Sequence, residues 1–121
     1  MIAWKRGREA ARAVFDALPL LQGAEKVHIL EVRERAAHGG GLADDTSIAA
    51  ALARHGIKPS VRTSIAADIS VGDEILSRLA DLEADLLIMG AYGHSRMREM
   101  IFGGVTQHIA GHMTVPTLLS H

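Results

Sequence analysis

Residues 85–90, Asp-Leu-Leu-Ile-Met-Gly, hold an unbroken apolar run between a carboxylate and a glycine. A strand with one wet face alternates apolar and polar side chains. A run without alternation needs cover on both faces, which in practice means a parallel sheet with helices packed on either side. The rest of the chain supplies such helices at regular intervals.

Met1-Ile2-Ala3-Trp4 is apolar and stops at Lys5-Arg6-Gly7, so it reads as the tail of a strand. It is short for a buried strand, which usually has about five or six residues. The expectation is a first strand truncated at its start, in a domain cut from a longer chain or lacking upstream residues. Ala10, Ala11, Val14, Ala17, Leu18 and Leu21 recur at helical spacing and predict a helix over about 8 to 21, ended or kinked by Pro19. A strand follows over 26–32, centred on Val27, Ile29 and Leu30. Residues 33–43, with Gly39-Gly40-Gly41, read as the longest loop.

Asp44 or Asp45 can cap a helix running to about His55, with Gly56 as its terminator. Residues 60–66 alternate, Val61, Thr63 and Ile65 against Arg62 and Ser64, and Pro59 precedes them, which suits a strand near the sheet edge. Ser70 with Asp73 announces a helix over about 71 to 82. After the buried run of 85–90 come a glycine loop, a short helical stretch around 96–101 with Ser95 as its N-cap, a helix opened by Gly103-Gly104 and running to about Gly111, and a last strand over 117–120. Strand and helix thus alternate five strands deep. Right-handed crossovers then give an α/β fold, a three-layer α/β/α sandwich on a mainly parallel sheet.

At 121 residues this is one domain, large enough to bury roughly two-thirds of its unfolded surface. Basic and acidic side chains number 13 and 14, for a formal charge of −1, which argues against nucleic acid or membrane surface as a partner. Cysteine is absent, so disulfides, thiolate metal sites and cysteine nucleophiles are excluded, in keeping with a reducing cytosol. No apolar run approaches the roughly 20 residues of a membrane span. Aromatic residues are only Trp4, Phe15, Tyr92 and Phe102, too few for a base-stacking platform.

The chemistry concentrates between Met89 and Thr106. Gly90 follows the buried strand, Gly93 allows a tight turn, and Gly103-Gly104 open a helix. Glycine permits close backbone approach and positive φ, and free N–H groups at a helix start attract anions. The carboxyl ends of parallel strands are also where such sheets bind ligands. A nucleotide phosphate fits this setting, although the spacing is neither a dinucleotide fingerprint nor a P-loop, and no Gly-Lys-Ser/Thr ending is present to hold Mg²⁺. The same glycines would equally serve to close a loop and pack a helix on a sheet.

Other candidates are weaker. His108 and His112 stand four residues apart, a metal-ligand spacing, but no carboxylate or thiolate motif completes it and no metal is expected. Ser95 beside His94 lacks a nucleophile elbow, and no catalytic residue is assigned.

The run "DLLIMGAYGHSR" at 85–96, the ending "HMTVPTLLSH" at 112–121 and "REAARAVFDALPLL" at 8–21 together resemble the universal stress protein family, as does Gly90-x₂-Gly93-x₉-Gly103. The resemblance covers essentially the whole chain and is nearest to the second domain of tandem bacterial members. It implies a Rossmann-like sheet of strand order 3-2-1-4-5, as in adenine nucleotide alpha hydrolases, usually as a homodimer paired through the C-terminal strand and hiding Val115, Leu118 or Leu119. It implies a non-catalytic, cytoplasmic stress-response role for one domain spanning 1–121. Its ATP or other adenine-nucleotide pocket would draw on Ala3, Lys5, Val32, Met89, Gly90, Gly93, His94, Gly103, Gly104 and Val105. Two positions depart from the family pattern. Lys5 stands where relatives carry an acidic residue, and Gly104 where they carry a hydroxyl. An ammonium has only donors, and each lost hydrogen bond costs on the order of 1 kcal/mol. Lys5, Arg6, Arg96 and Arg98 would instead offer positive charge to a phosphate. Two alternatives stay open: a nucleotide-independent dimeric interaction module, and a weak ATPase.

Overall fold

The computed structural model describes residues 1–35, 46–92 and 103–121. Its elements are β1 (Ile2–Ala3), α1 (Arg8–Asp16), α2 (Leu18–Gln22), β2 (His28–Glu34), α3 (Thr46–Arg54), β3 (Ser60–Ala66), α4 (Val71–Asp81), β4 (Leu87–Gly90), α5 (Gly104–His112) and β5 (Thr117–Ser120). All strand pairs are parallel, and the five-stranded sheet has the order β3-β2-β1-β4-β5. The expected α/β/α sandwich and strand order are both present.

The alternation of side chains sorts the core into two layers. Ile2, Ile29 and Ile88 point to one face, where Ala13, Val14 and Ala17 of α1 and its following turn and Ile48 and Leu52 of α3 cover them. Leu30, Leu87 and Met89 point to the other, under Ile75 and Leu79 of α4 and Ile109 of α5. Leu87 and Ile88 are completely buried on opposite faces, as their unbroken apolar run requires. Strand β1 has two residues, and the ladder continues past it, since the Trp4 amide donates to the Leu30 carbonyl at 2.7 Å.

Local chemistry explains most boundaries. Ser70 caps α4 by accepting from the Asp73 amide at 3.0 Å. Helix α3 ends in a Schellman motif: the Gly56 amide donates to Ala53, the Ile57 amide donates to Leu52, and Gly56 has φ 77°. Strand β3 spans the expected 60–66 and lies at the sheet edge. Three expectations shift. The single helix over 8–21 is broken at Ala17, because α2 restarts with Pro19 in its first turn, where proline's missing N–H costs nothing. The second strand begins at His28 rather than Lys26 and continues to Glu34, since its pairing with β3 extends to Ala66. Strand β4 begins at Leu87, two residues after Asp85. The capping role of Asp44 or Asp45, most of the loop over 33–43 and the short helix at 96–101 with Ser95 lie outside the described residues. No helix among the described residues is long and apolar enough to cross a membrane.

Candidate functional site

A cleft of about 890 Å³ opens at the carboxyl edge of the sheet. Its place follows from the topology. Strands β1, β2 and β4 all end there, and the helices that leave them diverge to opposite faces. Of the residues expected from sequence, it brings together Ala3, Lys5, Val32, Met89, Gly90, Gly103, Gly104 and Val105. Gly93 and His94 lie outside the described residues, as do Arg96 and Arg98.

The walls differ in character. Leu30 and Val32 of β2, Val71 and Ile75 of α4 and Met89 of β4 form an apolar side. Trp4, 7% exposed, lines the cleft directly after β1, at the carboxyl end of the sheet. Beside the apolar side stands the start of α5, whose Val105 packs against the same core layer. Gly103 is its N-cap and makes no side-chain cap bond, and a Cβ placed on Gly104 would meet nothing within 4 Å among the described residues. Gly103 and Gly104 bring no side chain of their own to this first turn, whose amides lack intrahelical acceptors.

The two glycine clusters have different reasons to be glycine. Neither Gly90 nor Gly103 uses positive φ; among the described glycines only Gly56 does. A Cβ on Gly90 would lie 2.5 Å from the Ala10 amide nitrogen and 2.7 Å from the Glu9 carbonyl carbon. Gly90 is thus required by the close seating of α1 on the end of β4, whatever else it faces. Gly104 has no such neighbour. Positive φ falls instead on Tyr92, at 63°, a conformation a bulky side chain adopts only under constraint. Its ring meets His121 edge to face, with centroids 6.0 Å apart, and it lines the cleft.

Sequence reasoning missed the charged pair on β2. Arg33 Nε donates to Glu31 Oε1 at 3.1 Å and its Nη2 donates to Oε2 at 3.3 Å, a two-pronged pair on the cleft lining. The signal was available: two opposite charges two residues apart at the carboxyl end of a strand share a face. Among the described residues, Lys5, Arg6, Arg33 and Arg35 on the lining outnumber Glu9, Glu31 and Glu34 by one.

The histidine pair lies elsewhere. The His108 Nε2–H donates to Asp73 Oδ1 at 2.8 Å, and the His112 Nδ1–H donates to the His108 carbonyl at 2.8 Å. The two rings stack with centroids 4.4 Å apart and 20° between planes. Parallel stacking does not converge two nitrogens on one ion, and the described residues contain no group of three or more metal-ligating side chains. This pair ties α5 to the start of α4. The Ser70 hydroxyl, by donating to Asp73, holds that carboxyl below its usual range, and His108 adds to the effect.

The fold has counterparts in solved structures. The protein MJ0577 superposes with a TM-score of 0.79 at 20% identity, over 98% of this chain and 93% of that one. A universal stress protein from Archaeoglobus fulgidus DSM 4304 gives 0.74 at 20% identity over 98% of this chain, which spans only 42% of it. A universal stress protein solved in complex with cAMP gives 0.68 at 17% identity, over 99% of this chain and 94% of that one. At these identities the likeness is one of fold. A comparison with curated proteins finds no match. The sequence pattern of the universal stress protein family, however, matches residues 6–121, nearly the full length, and so the chain belongs to that family.

Proposed function

We propose that this protein is a non-catalytic, cytoplasmic stress-response regulator whose carboxyl-edge cleft takes an adenine nucleotide. The observation that carries the reading is the cleft of about 890 Å³ with an apolar side at Val32 and Met89 and a helix start at Gly103-Gly104. A purine fits the apolar side, and phosphate oxygens fit the amides of the helix start. Ala3, Lys5 and Val105 complete the contact set, with Gly93 and His94 carried from the family resemblance. That a relative of the same fold was solved with cAMP supports the same class of guest.

Self-association belongs to this reading. Among the described residues no strand lies beside the outer edge of β5, and Leu119 on it is 41% exposed. Pairing with a second copy would cover both. Leu118 and Val115 already pack against the two core layers, so Leu119 is the residue such an interface would bury.

One specific observation favours a second reading, a dimeric interaction module that needs no nucleotide. Lys5 brings no acceptor to the cleft and Gly104 no hydroxyl. Titration of ATP, ADP and AMP by calorimetry, with Trp4 fluorescence as a second readout and phosphate release assayed in parallel, separates the readings. Saturable binding without turnover is the expected result. No heat and no change at Trp4 at millimolar nucleotide leaves the interaction module, and phosphate release leaves a weak ATPase.

A further inference from the structure

Strand β3 is the other edge of the sheet, and among the described residues no strand lies beside it. The Ser60 amide donates to the Val27 carbonyl at 2.9 Å, so the even-numbered residues of β3 turn their backbone groups to β2. By alternation the amides and carbonyls of Val61, Thr63 and Ile65 face outwards. Their side chains share one sheet face with Ile29, the partner of Val61 across the ladder. None of the three is charged, and Val61 and Ile65 are 50% and 61% exposed. Edge strands are ordinarily blunted by a charge or a proline set within such a row. Here Pro59 precedes the row, and Arg62 belongs to the opposite face.

The sequence of this edge complements itself. An antiparallel pair of β3 strands related by a two-fold axis at Thr63 sets Val61 of one copy against Ile65 of the other, Arg62 against Ser64 and Thr63 against Thr63. Lys58 stands two residues before the strand and Asp68 two residues after it, both exposed, and this register sets each against the other. Neighbouring registers lose the match. With the axis at Arg62 two guanidiniums oppose each other, and with the axis at Ser64 Lys58 meets Ser70 and Asp68 meets Ser60. We propose that the β3 edge is an interface with a second copy of this chain in this one register. The backbone groups of Val61, Thr63 and Ile65 continue the sheet across the axis, and Lys58–Asp68 pairs at both ends hold the register. Pro59, which has no N–H, ends the ladder. This surface is separate from the β5 edge and needs no nucleotide, so a chain that used both edges would assemble beyond a dimer.

Sedimentation velocity on the full chain tests this, from about 10 μM to about 1 mM because one strand pair makes a small interface. The series is run in Leu119→Asp, which takes the β5 edge out of play. Self-association should persist there. Lys58→Asp alone and Asp68→Lys alone each turn attraction into repulsion at both ends of the ladder, and each should weaken association about tenfold. Lys58→Asp together with Asp68→Lys in one chain should restore it. The two positions lie roughly 30 Å apart along one strand, too far to pair within a copy, so rescue reports contact between copies. All three side chains are exposed, so the variants should fold, and thermal melts check that they do. Hydrogen exchange on the parent chain needs no variant: the Val61, Thr63 and Ile65 amides should slow as protein concentration rises. A Leu119→Asp chain that stays monomeric, single reversals without effect, or a double swap that fails to restore association overturns the proposal. Exchange indifferent to concentration overturns it as well, and leaves the edge to an extended segment of a different protein.

Discussion

The cleft is built between two walls made on different terms. On one side α1 is seated so close to β4 that the Gly90 Cα hydrogens face the Ala10 amide, and the contact uses Ala10, Ala13 and Val14, while Asp16 and Arg12 tie the helix to Ser120 and the His121 carbonyl at the β5 edge. On the other side α4 and α5 pack on the sheet through Ile75, Leu79 and Ile109 and add polar links, Glu74 to Ser64 of β3 and His108 to Asp73. Small apolar residues give a wall with no slack, because interiors are close-packed and a methyl group has nowhere to go. Polar links give a wall whose position depends on protonation and on single side chains. The difference teaches where a ligand can be accommodated. The α1 wall is a fixed floor, and the amides of α5 belong to the side that can adjust.

The sharpest way to break this comparison is Gly90→Ala. Its Cβ would overlap backbone atoms of Glu9 and Ala10, not the end of a flexible side chain. Helix α1 must move as a unit, and overpacking of that kind costs about 1–3 kcal/mol, at the upper end here. Chemical denaturation should show the loss as a lower midpoint at unchanged slope. A variant as stable as the parent would mean that α1 is not tightly seated.

Glu74→Ala probes the opposite wall and ranks next. Glu74 is 6% exposed on α4, yet it accepts from the Ser64 hydroxyl on β3 and from Arg78 Nε at 2.8 Å. Removal leaves a half-buried hydroxyl and a guanidinium without that acceptor, at a cost of about 1–3 kcal/mol. Glu74→Gln keeps an acceptor for Ser64 and should recover part of it. The same link predicts a pH dependence. Hydrogen bonds from Ser64, then from Arg78, hold the Glu74 carboxyl below its usual range, and Ser70 with His108 does so for Asp73. A depressed folded-state value stabilises the fold above the unfolded carboxylate range and is lost as pH falls through the folded value. Midpoints measured downwards from about pH 5 should therefore fall, and fall less in Glu74→Gln. An equal decline in both would place the acid sensitivity elsewhere.

Much of this contrast was legible beforehand, and the rest was hidden for identifiable reasons. The α4 wall announced itself through Ser70 and Asp73, because a cap is a local signal readable within four residues. The edge position of β3 showed in its alternation. The breaking of α1 from α2 at Ala17 did not, since alanine favours helix and the apolar spacing runs straight through it. Gly90 was seen as a glycine of the site, but its contact with Ala10 spans eighty residues of sequence, and no local pattern encodes it. The partner of His108 was hidden likewise: Asp73 reads as a helix-start residue, and only the packing of α5 on α4 makes it an acceptor. Within the cleft, Val32, Met89 and the Gly103-Gly104 start came from motif and resemblance, whereas the Arg33–Glu31 pair needed the strand's face to be known.

Ser70→Ala sharpens the polar side at smaller scale. It removes the cap on the Asp73 amide and the hydroxyl that donates to the Asp73 carboxylate at 2.6 Å. A lost serine cap costs about 1 kcal/mol. Because Asp73 is also the acceptor for His108, the loss should be smaller when made on top of His108→Ala than when made alone. A double-mutant cycle with no coupling would show that the cap and the α4–α5 tie act independently.

The smallest expected effect is also the strictest check on the two-wall picture. Gly104 opens α5 with free space where a Cβ would go, and its backbone has no positive φ. Gly104→Ala should therefore leave stability unchanged or raise it by up to about 1 kcal/mol, since alanine gives up less backbone freedom on folding. The same substitution at Gly90 should lose more than that. Both residues face one cleft, so an equal response at the two positions would dissolve the distinction between a floor fixed by packing and an opening left clear for a ligand. If Gly104→Ala instead keeps stability and weakens nucleotide binding in the titration described above, the missing Cβ at the start of α5 is there for the guest rather than for the fold.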